Sequence, residues 1–468
     1  MRTTGRIWWL LLLVAWVPAC GSGPSRPPNV LMIVFDTARA DGFSRFGRPG
    51  TGTPVFDRIA ADGVVFPNAR STSAWTLPSH ASLFTGLYPS RHGATHESHM
   101  LTPDRVTIAE VLAPTHETAG FSENPHISKA KGFARGFDLF EETWRLRERR
   151  GESAPTIERV LAWIQSRRPE SDPFFLFINL MDPHLPYVPP EPFASELASN
   201  GFRPDRVRRM RAVSEREARL YMTGRLKFSP LDFRILRALY DAEIAFADAR
   251  AGRILDQLEE TGVLDETLVV LVADHGENLG EHELMEHQLC LYETLLRIPF
   301  VLRLPGVFEG GVTRDGPVQL VDVAPTVFDV LEVPAERRPA TEGMSLVLDD
   351  PPKTRPLYAE YMRPIRQKAH FLAVDPVFDF GRFDRRLRSI QVGSMKLIAS
   401  DKGDVELYDL EADPGEEVDL SAERPRVVEM LEGQLDQWLT SARSAEPTHE
   451  PVLDPETIEA LRELGYME

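Results

Sequence analysis

Three segments of the chain are apolar without interruption. Asn29–Phe35 runs directly into Asp36, Phe174–Leu180 ends just before Asp182-Pro183-His184, and Thr267–Ala273 runs into Asp274-His275. A strand with one wet face alternates apolar and polar residues, so unbroken runs predict strands buried on both faces, as in a parallel sheet. Residues 54–63 and 239–261 carry apolar positions at helical spacing. Strands alternating with helices predict an α/β sandwich with a mostly parallel central sheet. Open sheets of this kind gather their chemistry just past the carboxyl ends of the strands, where these polar residues stand.

The pattern changes along the chain. Residues 189–229 are irregular and rich in arginine, and read as an insertion over the site. After Pro351, Leu387–Val392 and residues 395–399 and 405–410 read as short strands. Gly393-Ser394 and Lys402-Gly403-Asp404 supply their turns. A helix over residues 426–439 follows. The expected division is a catalytic domain over 29–350 and a small C-terminal antiparallel α+β subdomain over 351–468. No internal repeat is present.

The first twenty residues differ from the rest. Arg2 and Arg6 precede an apolar run over residues 7–17, too short at about 1.5 Å per residue to cross a bilayer core of roughly 30 Å. This reads as an export signal over residues 1–20. Val17-Pro18-Ala19-Cys20 followed by Gly21-Ser22 resembles a bacterial lipobox, with Cys20 as the lipidated first residue of the mature chain. Residues 21–28 would then be a tether to the membrane. Plain cleavage near Ala19 is the alternative. A membrane-anchored lipoprotein on the periplasmic or outer-membrane face is the expected location. Cys290 is the only other cysteine, so no internal disulfide is expected and the fold rests on packing. The net charge of −18 argues against nucleic acid as a partner, yet permits an anionic substrate where local cations outweigh the mean field. No protein partner is evident. The arginines at 145, 147, 149 and 150, and at 206, 208, 209 and 211, read as solvated helix faces, with polyanion binding the alternative.

The densest chemistry lies in Ser73-Ala74-Trp75-Thr76-Leu77-Pro78-Ser79-His80. Pro78 suits a first helical turn and Gly86 a helix stop, which puts Thr76 at a helix N-terminus, where free amides and the dipole favour an anion. A hydroxyl there is a candidate nucleophile, best activated by a metal, and by itself equally a simple helix cap. Asp36, Asp274 and His275 end two buried strands and are candidate ligands of one divalent cation.

These segments, with Pro28-Asn29-Val30, Thr53-Pro54, Thr85-Gly86-Leu87-Tyr88-Pro89-Ser90-Arg91-His92-Gly93, Gly280-Glu281-His282, Val321-Asp322-Val323-Ala324-Pro325-Thr326 and Glu406-Leu407-Tyr408-Asp409-Leu410, resemble the sulfatase family of the alkaline-phosphatase superfamily from about residue 28 to 439. The resemblance implies an alkaline-phosphatase-like sandwich and a metal-dependent hydrolase of sulfate or phosphate/phosphonate esters. It implies that Asp36, Asp274, His275 and Thr76 hold one divalent cation, calcium foremost, with magnesium, manganese or zinc as alternatives. It implies that His184 contacts the ester and protonates the leaving oxygen. His287 stands where the family has a substrate-contacting Lys, and Asn124 falls near a Lys/His contact pair. Active sulfatases carry a Cys or Ser, oxidised to formylglycine, at the position of Thr76, with an Arg at the position of His80. The Cβ methyl of Thr76 bars that aldehyde. The superfamily's metal-bound threonine nucleophiles are the nearer analogy, with His80 as a supporting catalytic residue. A headgroup phosphotransferase and a noncatalytic binding lipoprotein are the rival readings.

Overall fold

The computed structural model describes residues 26–47, 52–96, 98–146, 155–168, 171–195, 201–347, 350–441 and 453–463. Cys20, the expected signal and most of the expected tether lie outside them, as do Arg147, Arg149 and Arg150.

Eight strands form the main sheet: β1 (Asn29–Phe35), β2 (Val64–Val65), β3 (Glu117–Ser122), β4 (Leu139–Glu142), β5 (Phe174–Leu180), β6 (Thr267–Ala273), β7 (Phe300–Arg303) and β8 (Val312–Thr313), in the order β8-β2-β7-β6-β1-β5-β3-β4. The three apolar runs are its centre. β1 lies between β5 and β6, parallel to both, and every residue of the three is buried. β3 and β4 continue the parallel side, while β7 runs antiparallel to β6 and β2. The expected mostly parallel sheet is the one found.

Register sets up the chemistry. Phe35 stands opposite Leu180 on one side and Ala273 on the other, so Asp36 and Asp274 leave neighbouring strands at the same level.

The helices that matter here are α1 (Pro54–Ala61), α2 (Thr76–Thr85), α3 (Pro204–Arg211), α4 (Glu215–Met222), α5 (Pro230–Glu260), α6 (Ile365–Val374) and α7 (Pro425–Ser441). α5 begins nine residues earlier than its apolar spacing predicts. Ser229 and Asp232 cap each other's end reciprocally, with Pro230 in the first turn, so the start is fixed by capping chemistry. Asp248 in α5 accepts the Val55 and Phe56 amides at 2.9 and 2.8 Å, satisfying the start of α1 from outside. α3 and α4 form the arginine-rich insertion. Arg208 and Arg209 are exposed and Arg206 pairs with Asp232, as a solvated face requires. Arg145 pairs with Glu142, Asp454 and Glu456. Among the described residues no helix is long and apolar enough to cross a membrane.

The C-terminal meander has one more strand than expected: β9 (Leu357–Tyr361), β10 (Leu387–Val392), β11 (Met395–Ser400) and β12 (Val405–Asp409), antiparallel in that order. Gly393 and Gly403 make its turns at φ 61° and 88°, conformations that suit glycine. Alternate residues face two ways. Leu387, Ile398 and Tyr408 join the main core, whereas Ile390, Leu397 and Leu407 pack with Val428, Leu431 and Leu435 of α7.

Candidate active site

The site assembles where α2 meets the carboxyl ends of β1 and β6. Trp75, extended at φ −163°, holds the cap position of α2, and no side chain caps the helix. Thr76 is therefore the first helical residue, not its cap. Its hydroxyl turns to other partners: Oγ1 lies 3.3 Å from His275 Nε2 and 3.5 Å from Asn124 Nδ2. All ten residues of α2 are buried, and Gly86 ends it in the left-handed region with its amide on Ser82 O at 2.8 Å.

One oxygen or nitrogen from each of Asp36, Asp274 and His275 lies within 4.8 Å of the others, all three residues buried. Their orientations are imposed by neighbours. Asn124 Nδ2 and Asn179 Nδ2 donate to Asp36 Oδ2 at 2.7 and 3.2 Å. The amides of Thr37 and His275 donate to Asp274 Oδ1 at 3.1 and 2.8 Å. Thr37 makes its bond from φ 56°, a costly conformation for a β-branched residue, and its carbonyl accepts from Tyr240 Oη at 2.7 Å. His275 Nδ1 donates to Gly276 O at 2.9 Å, which fixes the tautomer and leaves the Nε2 lone pair toward the carboxylates. Burial holds the His275 imidazole below its ordinary pKa against the pull of Asp274, keeping it neutral as a ligand must be.

Asp274 Oδ2 is buried without a hydrogen-bond donor, facing His80 Nδ1 at 3.3 Å and His275 Nε2 at 3.4 Å. A carboxylate oxygen so placed calls for a cation. Two carboxylates, one neutral imidazole and a hydroxyl fit one divalent ion. His80 Nδ1 bonds Thr76 O at 3.1 Å, so His80 holds the Thr76 backbone and faces Asp274. Asp182 bonds Arg250 at 2.6 Å and is engaged in an ion pair.

The predicted acid residues lie one ring further out. His287 sits 4.7 Å from the His275 ring and 5.1 Å from that of His184, centroid to centroid. Burial, with His275 and His184 beside it, holds His287 well below its usual pKa. His184 Nδ1 donates to Leu185 O at 2.7 Å, which fixes the orientation of its ring. Both line a small pocket together with Glu215, Arg219, Gln288 and Phe371, so the insertion does lie over the site.

Asn124 is brought to Asp36 and Thr76, where it orients both. Three contributors were not singled out in the sequence. Asn179 is the one polar residue inside β5, a signal that was there to be read. His126 gives its amide to Asn124 Oδ1 at 2.8 Å, and Lys131 Nζ lies 2.7 Å from His126 Nδ1. Only the folded chain places Lys131 there.

The family model described as sulfatase matches residues 28–333. The chain belongs to the sulfatase family. A second model, the C-terminal region of N-sulphoglucosamine sulphohydrolase, matches residues 280–444. Arylsulfatase K of Bos taurus is 24% identical, over 90% of this chain and 84% of that protein. Among solved structures, one in complex with its substrate D-glucosamine-2-N,6-O-disulfate aligns with a TM-score of 0.70 at 22% identity, covering 89% of this chain and 98% of the other. The phosphonate monoester hydrolase of Agrobacterium radiobacter aligns at 0.69 and 20% identity, covering 88% and 95%. The alkaline-phosphatase-like fold expected from the motifs is therefore present, and the chain is a sulfatase-family hydrolase of ester bonds.

Proposed function

We propose that this sulfatase-family chain hydrolyses sulfate or phosphate/phosphonate esters with the unmodified hydroxyl of Thr76 as nucleophile. One observation carries the reading: Thr76 Oγ1 is buried at the first turn of α2, 3.3 Å from His275 Nε2 and beside the Asp36–Asp274–His275 cluster. A cap would have turned its hydroxyl back onto the helix amides. Asp36, Asp274, His275 and Thr76 would hold one divalent cation, which when bound acidifies the hydroxyl and neutralises the ester's nonbridging oxygens.

The protein's own groups do the rest. Asn124 and His80 fix Thr76 by its side chain and its carbonyl. Thr76 Oγ1, having given its proton to solvent, bonds to sulfur or phosphorus as the ester oxygen departs, and His184 delivers the proton that the departing oxygen takes. Water, losing one proton to His184, then displaces Thr76 Oγ1, which takes a proton back from solvent and is restored as the hydroxyl. His287, held neutral, lines the path as a hydrogen-bonding group. A nucleophile of this type suits phosphoryl as well as sulfuryl esters, and the fold is shared with a phosphonate monoester hydrolase.

The test is a panel of aryl sulfates, phosphate mono- and diesters and phosphonates, with calcium, magnesium, manganese or zinc restored after chelation. Thr76→Ala is expected to lose turnover by roughly 10³-fold or more, the scale of removing a nucleophile, with metal content and melting temperature retained. Thr76→Ser is expected to keep measurable turnover, and Asp274→Ala to lose the ion. Normal turnover in Thr76→Ala with a lowered melting temperature would reduce Thr76 to a helix residue and end the proposal.

A further inference from the structure

Around Trp75, the residue before Thr76, basic side chains converge. The His96 ring lies 4.1 Å from that of Trp75, His126 at 5.4 Å and His99 at 6.1 Å, centroid to centroid. His96 and His99 are 6.4 Å apart, and Lys131 reaches His126 at 2.7 Å. His96 is 3% exposed, His99 7% and Lys131 1%. Among the described residues no carboxylate bonds His96, His99 or Lys131. His96 Nδ1 and His99 Nε2 are buried with no hydrogen-bond partner. Burial and the charge of Arg366 bring the Lys131 amine down to about 7, and burial with Lys131 nearby holds His99 down to about 2. Buried polar nitrogens without a partner cost free energy until an acceptor joins them.

We propose that His96, His99 and Lys131, with Trp75 as their floor, form a subsite for a second anionic group of the substrate: a sulfate, phosphate or carboxylate beyond the one cleaved. The inference rests on the reading that an anionic ester docks at Thr76, one residue from Trp75. Gln288 lines the pocket shared with His184 and His287, and its Oε1 lies 3.2 Å from His96 Nε2. Glu286, Gln288 and Leu289 hold φ of 64°, 87° and 69°, left-handed values that favour glycine. Turning the Gln288 side chain aside opens the pocket onto His96. Donors from His96, His99 and Lys131 then meet the incoming oxygens.

The test reads binding and needs no turnover. Benzenesulfonate and 1,3-benzenedisulfonate are titrated calorimetrically into the metal-loaded full chain. Wild type is expected to prefer the disulfonate by about tenfold or more, the scale of one or two added charge-assisted hydrogen bonds. His99→Gln should erase most of that preference and leave monosulfonate affinity unchanged, and Lys131→Met should erase the preference as well. His99→Gln keeps the size and polarity of the side chain and stays informative if Lys131→Met fails to fold. Thr76→Ala should keep the preference, so loss of the nucleophile reading and loss of the subsite are told apart. Equal affinity for the two probes in wild type, or a preference that survives His99→Gln, overturns the subsite.

Discussion

Glu286 borders the pocket over the reaction centre. Burial pushes its carboxyl up to about 8; Arg219 at 3.9 Å opposes the rise and Glu215 adds to it. Its folded pKa thus exceeds its unfolded value, and the folded state holds the proton more tightly. That contribution to stability is complete below the unfolded carboxylate range and is lost as pH climbs toward 8. Glu286→Gln, which keeps the neutral shape, is expected to melt like wild type near pH 5 and to be more stable by about 1–3 kcal/mol at pH 8. Parallel melting curves for the two proteins across pH 5–9 would refute the burial account. Among single residues, those legible from sequence stand at element ends. Asp36, Asp274 and His275 follow apolar runs, and Thr76 precedes a proline in a first turn. The groups that steer them were not legible for a physical reason. Asn179 is masked by the apolar run around it, and Lys131 meets His126 only through the path of an irregular loop.

At the scale of elements, the cover over the pocket comes from two helices far apart in sequence. α4 contributes Glu215, Arg219 and Met222, and α6 contributes Gln367 and Phe371. Arg225, just past α4, grips Asp375 at the end of α6 with two bonds of 2.8 Å. Asp375→Asn removes the charge from this clasp while keeping its size. Amide exchange across residues 365–374 is expected to quicken about tenfold with little change in melting temperature, since local opening is drawn from the least stable parts of a fold. Unchanged exchange would show that core packing of Phe371 alone holds the cover. The sequence revealed strands better than helix limits, because apolar runs mark strand burial directly. α5 began earlier than expected because Ser229 and Asp232 set its start. β9 went unseen because its five residues sit among prolines and carry only a short pattern.

Across the whole molecule, the C-terminal sheet is joined to the rest by a buried charge. Lys396 in β11 is 1% exposed and pairs with Glu293 at 3.0 Å and Glu416 at 2.7 Å. Lys396→Met leaves two buried carboxylates facing each other and is expected to cost about 3–5 kcal/mol. Because the sheet shares the main core through Leu387, Ile398 and Tyr408, the variant should still melt in a single transition, earlier than wild type. A separate early transition confined to the C-terminal region would show that the sheet folds alone. The pairing of β1 with β6 has a further consequence, one of timing. Thr37 and Asp274 are 237 positions apart, and no ion can be held until both strand ends are in place. A chain emerging from the ribosome at about 5–20 residues per second therefore carries its first carboxylate for many seconds before the second exists. An ion held by this cluster would be loaded late, wherever the finished chain folds, and the metal supply of that compartment would decide which cation it is.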